Sequence, residues 1–289
     1  MRRLAILLAS LLLAGTLGIA QGLPNPFDVG LGVRAAGLGG AYTAIAAGSE
    51  ALLYNPAGLA HLAGLRADST YTGAMGLYST TWLAGAMPGL GGGVAYLSAG
   101  GITDPQGDPL AFSHLAVVVG GGADSTQLPL VGGVHILPFP LSLGASLKFD
   151  HVQAAEAVGS GLAFDLGALT QLDTAWGTFR VGFVIRDLGV GAGLGEGWTS
   201  EFALGAALLT ATGLIASADL GSEYAGLGVG WGFPGGIEVR GGIQSQGGAT
   251  RFCLGLGVSW QAFVIDYALT THSVLGSSHR FGFGMELGG

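Results

Sequence analysis

Phe179-Arg180-Val181-Gly182-Phe183-Val184-Ile185-Arg186 places a large apolar residue at every odd position and both of its arginines at even positions. In a β-strand, odd and even side chains point to opposite faces. One face of this segment therefore suits an apolar surrounding, and the other carries glycine and charge. The closing segment sorts in the same way, with Phe281, Phe283, Met285 and Leu287 opposite Arg280, Gly282, Gly284 and Glu286. Phe252, Leu254, Leu256 and Val258 oppose Arg251, Cys253, Gly255 and Gly257, while Phe263, Ile265, Tyr267 and Leu269 oppose Val264, Asp266 and Ala268. Upstream, Leu143, Leu147 and Phe149 oppose Lys148 and Asp150, Phe202 and Leu204 oppose Glu201, and Ile237 and Val239 oppose Glu238 and Arg240.

Large residues on one face, with small or charged residues on the other, are the pattern of a transmembrane barrel. A sandwich would carry many polar residues on its exposed faces, and here the second face is mostly Gly and Ala. From Arg66 onward such segments recur, separated by Gly, Pro, Asp or Ser. Their number and the even-strand preference of single-chain barrels predict an all-β, antiparallel transmembrane barrel of about 14 strands. Gly100–Phe112 and Leu188–Gly197 read as the longer loops. Trp176, Trp198, Trp231 and Trp260 fall near segment ends, where aromatic girdles lie. Glycine on the inner face leaves room for something packed close inside the wall.

Composition agrees. Glycine contributes 57 of 289 residues and charged residues only 10%, a surface poorly suited to water. After the N-terminus, no run of roughly 18 apolar residues could span as a helix, which leaves a barrel as the way to cross a bilayer. Arg2 and Arg3, the apolar run Leu4–Leu17, and Gly18 and Ala20 before Gln21 read as a secretory signal peptide cleaved near Ala20. Cys253 is the sole cysteine, so no internal disulfide and no cysteine-based zinc site can form. The net charge of −8 makes a duplex nucleic-acid partner improbable.

Residues Leu23–Leu62 do not alternate. They contain Arg34-Ala35-Ala36-Gly37-Leu38-Gly39-Gly40-Ala41-Tyr42 and Asn55-Pro56-Ala57-Gly58-Leu59-Ala60. Asn55 suits the cap of a short helical turn whose first residue is Pro56, because proline lacks only a donor that would be unpaired there. Together with LGASLKFDHV, GLAFDLGAL, RVGFVIRDLG and the closing DYALTTHSVLGSSHR, these blocks make the chain resemble the PorV/PorQ family of outer-membrane proteins, itself similar to FadL-type channels for hydrophobic compounds. The resemblance implies a hatch inside the lumen, with Arg34, Gly37, Gly39, Gly40, Asn55, Pro56, Ala57 and Gly58 as its motif residues. The organisation expected is a signal peptide over 1–20, a hatch over 21–65 and a barrel over 66–289.

Lys148, Asp165, Arg180, Arg186, Glu238, Arg240, Asp266, Arg280 and Glu286 fall on the inner face with mixed sign, as do Asp150, Glu201, Asp219 and Arg251. Buried charges need partners, so pairing across the lumen is their expected role. Leu38, Tyr42, Ile45, Leu53 and Tyr54 are candidates for an apolar pocket between hatch and wall. The six histidines are dispersed and form no metal motif. Glycine clusters such as Gly226-Leu227-Gly228-Val229-Gly230 lack the βαβ setting of a nucleotide loop. Ser277, Ser278 and His279 read as a polar strand end rather than a hydrolytic group. No catalysis, cofactor or metal is expected.

The function implied is passage of small hydrophobic molecules across a bacterial outer membrane, gated by the hatch. The alternative is a PorV-like secretion-associated or envelope-scaffolding barrel with no transport of its own. Expected partners are outer-membrane lipid, a small hydrophobic ligand and, during biogenesis, the barrel-assembly machinery.

Overall fold

The computed structural model describes residues 25–27, 29–99, 112–125, 140–154, 157–192, 198–272 and 276–288. The expected signal peptide and the loop expected after Gly100 lie outside them, apart from Phe112, which opens a strand.

Fourteen antiparallel strands close into one barrel, each paired with its sequence neighbours, and the first pairs with the last. They are β1 (Leu65–Ala74), β2 (Tyr78–Met87), β3 (Leu90–Ala99), β4 (Phe112–Asp124), β5 (Leu141–Ala154), β6 (Ala157–Thr174), β7 (Gly177–Ala192), β8 (Glu201–Leu209), β9 (Leu214–Gly221), β10 (Tyr224–Phe233), β11 (Ile237–Gln246), β12 (Ala249–Trp260), β13 (Phe263–His272) and β14 (Gly276–Leu287). The β1–β14 seam pairs Arg66 with Glu286 and Thr72 with Arg280. Closure removes the unpaired edges that an open sheet would expose. Between β11 and β12 the two-residue turn is Gly247-Gly248, with φ of 58° and 75°. Two successive positive φ angles are what a tight hairpin of that length requires.

Phe179, Phe183, Phe202, Phe252, Phe281 and Phe283 are all exposed on the outer wall. Alternation therefore sorts the faces as the sequence indicates, up to one irregularity. The β6–β7 register shifts between Phe164 and Leu166, and Asp187 adopts φ of 60°. A bulge reverses the parity of everything beyond it. Asp187 is consequently buried and Val190 exposed, and the residues Leu188–Ala192, expected in a loop, extend β7.

Trp176, Trp231 and Trp260 are exposed at the end of the barrel where β1 starts and β14 stops. Trp198 departs from the girdle expectation. It turns inward at the opposite end and packs on Phe27, with ring centroids 6.2 Å apart.

Candidate functional site

The lumen is filled by residues 29–64. Their local structure is short and irregular: a helix at Val33–Gly37, a 3-10 turn at Gly48–Glu50, a helical turn at Ala51–Tyr54 and a 3-10 turn at Pro56–His61. The first helix has no cap of its own. Glu50 supplies one from 15 to 17 residues downstream, its carboxylate accepting from the backbone N–H groups of Val33 at 2.7 Å, Arg34 at 3.1 Å and Ala35 at 3.3 Å. An anion at a helix N-terminus satisfies donors that have no partner within the helix. Burial nevertheless lifts this carboxyl above its ordinary range, against the pull of the Arg34 N–H.

Asn55 caps the Pro56–His61 turn, its Oδ1 accepting from the Ala57 N–H at 3.1 Å with Pro56 at the first turn position. Its Nδ2 donates to the carbonyls of Thr43 at 3.0 Å and of Ala168 on β6 at 3.1 Å. One buried amide thus ties two parts of the segment to the wall.

The glycines of the inner wall form the sockets into which this segment fits. A Cβ on Gly122 or Gly144 would overlap the backbone of Pro56 and Ala57, and one on Gly167 would overlap Asn55. Further round, a Cβ on Gly182 or Gly205 would overlap Thr43 and Ala44, and one on Gly226, Gly228 or Gly242 would overlap Leu38 and Gly39. Gly37 lies against Gly255, at 3.0 Å from a built Cβ to Cα. Gly39 has φ of 65° and its own Cβ would stand 2.7 Å from the Ile243 carbonyl, so both sides of that contact need glycine. Gly40 faces Gln244, and Gly58 sits under the Ala46 carbonyl.

Polar groups complete the fit. Asp219 accepts from the backbone N–H groups of Tyr42 at 3.1 Å and Thr43 at 2.9 Å. Arg34 donates to Glu238 at 3.0 Å. Arg280 donates to the carbonyls of Gly30 at 2.7 Å and Val29 at 3.0 Å, and to the Thr270 hydroxyl at 3.0 Å. At the opposite mouth, Ser142 Oγ lies 2.9 Å from His61 Nε2 and donates to Asp124 at 2.5 Å. Half-burial pushes the His61 imidazole below its ordinary value, opposed by Asp124.

The inner-face charges are largely paired. Lys148 bridges Asp165 at 2.9 Å and Asp187 at 2.7 Å, beneath the Phe27 ring at 4.9 Å. Asp150 meets His114 at 2.7 Å, Arg186 meets Glu201 at 3.1 Å, and Arg240 meets both Asp266 and Glu238. Glu286 stands at the mouth and bridges Arg66 across the seam. Arg180, Arg251 and Arg280 form no ion pair among the described residues, and Arg251 donates to Gln246 at 3.1 Å.

Leu31, Leu38, Tyr42, Ile45, Leu52, Leu53 and Leu59 join wall residues such as Trp82 and Val118 in one buried apolar cluster. Tyr54 packs edge-on against Tyr42 at 5.4 Å. Above this cluster lies a polar cavity of about 100 Å³, lined by Tyr54, Lys148, Arg186, Tyr224, Gln246 and Arg280 among others. Glu50, Asp187, Trp82 and the glycine pairings escape a sequence reading, because each acquires its role from a partner far along the chain.

Ser278 is buried, whereas His279 lies on the outer face, within 3.2 Å of Ser277 Oγ and 2.8 Å of the Tyr267 hydroxyl. Among the described residues, the partners of the imidazole are these two hydroxyls, not the acid that a hydrolytic triad places behind it. Among the described residues, no cluster of His, Cys, Asp or Glu could hold a metal ion.

No family model matches the chain, and no curated protein matches it. Solved structures do. The Ralstonia pickettii toluene transporter TbuX shares the fold with a TM-score of 0.60 and 13% identity, over 89% of this chain and 98% of that one. The Pseudomonas putida toluene transporter TodX gives a TM-score of 0.55 and 12% identity, over 86% of this chain and 95% of that one. The likeness is of fold alone, a closed barrel that in this chain has 14 strands.

Proposed function

We propose that this chain is a bacterial outer-membrane barrel that passes small hydrophobic molecules, with the N-terminal segment expected over residues 21–65 as the hatch that gates it. The observation carrying this reading is the union of an apolar outer wall with a lumen filled by a separate, non-strand segment. That segment meets the wall through glycines and a limited set of hydrogen bonds. The apolar exterior suits lipid, and the filled interior means that passage requires the segment to shift. The fold shared with two toluene transporters supports a hydrophobic cargo. Membership of the PorV/PorQ group rests on the sequence blocks around Arg34–Tyr42 and Asn55–Ala60.

The test is uptake of a fluorescent long-chain fatty acid, and of toluene, by liposomes holding the refolded barrel, with and without the Asn55→Ala, Pro56→Ala double variant. Uptake above protein-free liposomes that changes in the variant supports gated passage. Background uptake by a correctly folded barrel favours the second reading, a secretion-associated or scaffolding barrel. The apolar groove of about 900 Å³ on the outer wall beside Ala216, Ala218 and Gly241 speaks for that reading.

A further inference from the structure

We infer that the inner faces of β1 and β2 at Thr72, Thr80 and Trp82 form a binding site for a small neutral molecule carrying a hydroxyl group on an apolar body. This deepens the transport reading, and it rests on that reading for how the molecule arrives. Thr72 and Thr80 stand directly opposite each other in the β1–β2 register, and Trp82 is the next inward residue of β2. All three are fully buried, at 0%, 1% and 1% exposure. Both hydroxyls and the indole N–H have no hydrogen-bond partner among the described residues. A buried donor or acceptor left unmade carries its full desolvation cost, so a wall that keeps three together is shaped for something that supplies partners.

The surroundings define the rest of the molecule. The Trp82 ring occupies the space that a Cβ on Gly93 would take, and it belongs to the apolar cluster with Leu31 and Tyr42. Leu97, opposite Thr80, belongs to a second apolar cluster with Phe112 and Val152. A polar spot between two apolar clusters fits one hydroxyl on a hydrocarbon body. The neighbouring cation does not call for an anion: Arg280, opposite Thr72, directs its guanidinium to the carbonyls of Val29 and Gly30 and to Thr270. Arg280 also lines the polar cavity, and Val29 packs on both apolar clusters. The polar lining of that cavity offers hydrogen-bond partners that a hydroxyl-bearing molecule can use and a pure hydrocarbon cannot.

The experiment uses p-cresol and p-xylene, which have nearly the same shape but differ by a hydroxyl in place of a methyl. Binding of each to the full-length refolded barrel is measured by equilibrium partition in sealed vessels against protein-free micelles. The comparison is made for the wild type, for Thr72→Val with Thr80→Val, and for Trp82→Phe. A site built to bond a hydroxyl rejects the analogue that lacks it. The wild type should favour p-cresol by roughly tenfold or more. The double valine variant, which keeps shape and removes both hydroxyls, should lose that preference. Trp82→Phe should weaken it, and serves if the double variant fails to fold. Equal binding of the two compounds, binding of neither, or a preference that survives in a folded variant overturns the inference. Liposome uptake run in parallel separates the two readings. Cresol bound selectively but not passed leaves the site and removes transport, and unselective passage does the reverse.

Discussion

Asn55 fills the space that a side chain on Gly167 would take: a Cβ on that glycine would overlap the Asn55 amide. The same amide donates to the carbonyl of Ala168, the next residue of β6. Wall and segment are therefore complementary at single-atom scale. Gly167→Ala should destabilise the barrel by about 1–3 kcal/mol, as overpacking a filled interior does. Gly241→Ala, where a Cβ would meet nothing within 4 Å, should change stability by no more than about 0.5 kcal/mol. Urea unfolding in lipid vesicles checks both.

Phe183 and Phe283 are exposed on the outer wall at 42% and 50%. Replacing either with Arg should cost roughly 2–4 kcal/mol in a bilayer if it lies at mid-depth. Equilibrium folding into vesicles reads the difference, and an unchanged free energy would remove these residues from the lipid face.

Lys148 holds Asp165 and Asp187 together at 1% exposure. Lys148→Met should cost about 3–5 kcal/mol, because two buried carboxylates are left without their cation. Adding Asp165→Asn and Asp187→Asn should recover much of that loss. Thermal unfolding of the single and triple variants makes the comparison.

Glu50 links pH to the anchoring of the segment. Its carboxyl is raised above 4.5 by burial, so the folded state holds the proton to higher pH than the unfolded chain does. Stability from this group is therefore fully present below the unfolded value and declines as pH rises through the folded one. The stability that Glu50 contributes relative to Glu50→Gln, read by urea unfolding in lipid vesicles, should be smaller at pH 8 than at pH 4. A difference between the two proteins that does not change with pH would remove Glu50 from this role.

The barrel was legible in the sequence because alternation is a local signal. Phe179 to Arg186 reveal their faces without reference to any other strand, and the strand number follows from repetition. The bulge was not legible, because Asp187 changes face through its pairing with β6 and not through its residue type. Trp198 reads as a girdle residue from its place at a segment end, yet Phe27, 171 positions earlier, draws it inward. Inner-face glycines gave notice of a close-packed occupant, but not that Gly144 would meet Ala57 or Gly242 meet Gly39. Such pairings depend on how the segment threads the lumen, and nothing local encodes that path.

The filled lumen bears on how the ring is assembled. Joining β1 to β14 brings together residues more than 200 positions apart, such as Arg66 and Glu286, and loops of that size carry a large closure entropy. The segment preceding β1 touches β14 through Gly30 and Arg280, β6 through Asn55, and β11 through Gly39. It can gather distant strands around itself before the seam zips, as a mandrel sets the bore of a tube wound over it. On this view the calibre of the barrel is supported from within, and a chain lacking residues 29–64 should fold into lipid vesicles more slowly than the full chain, as the time course of folding would show.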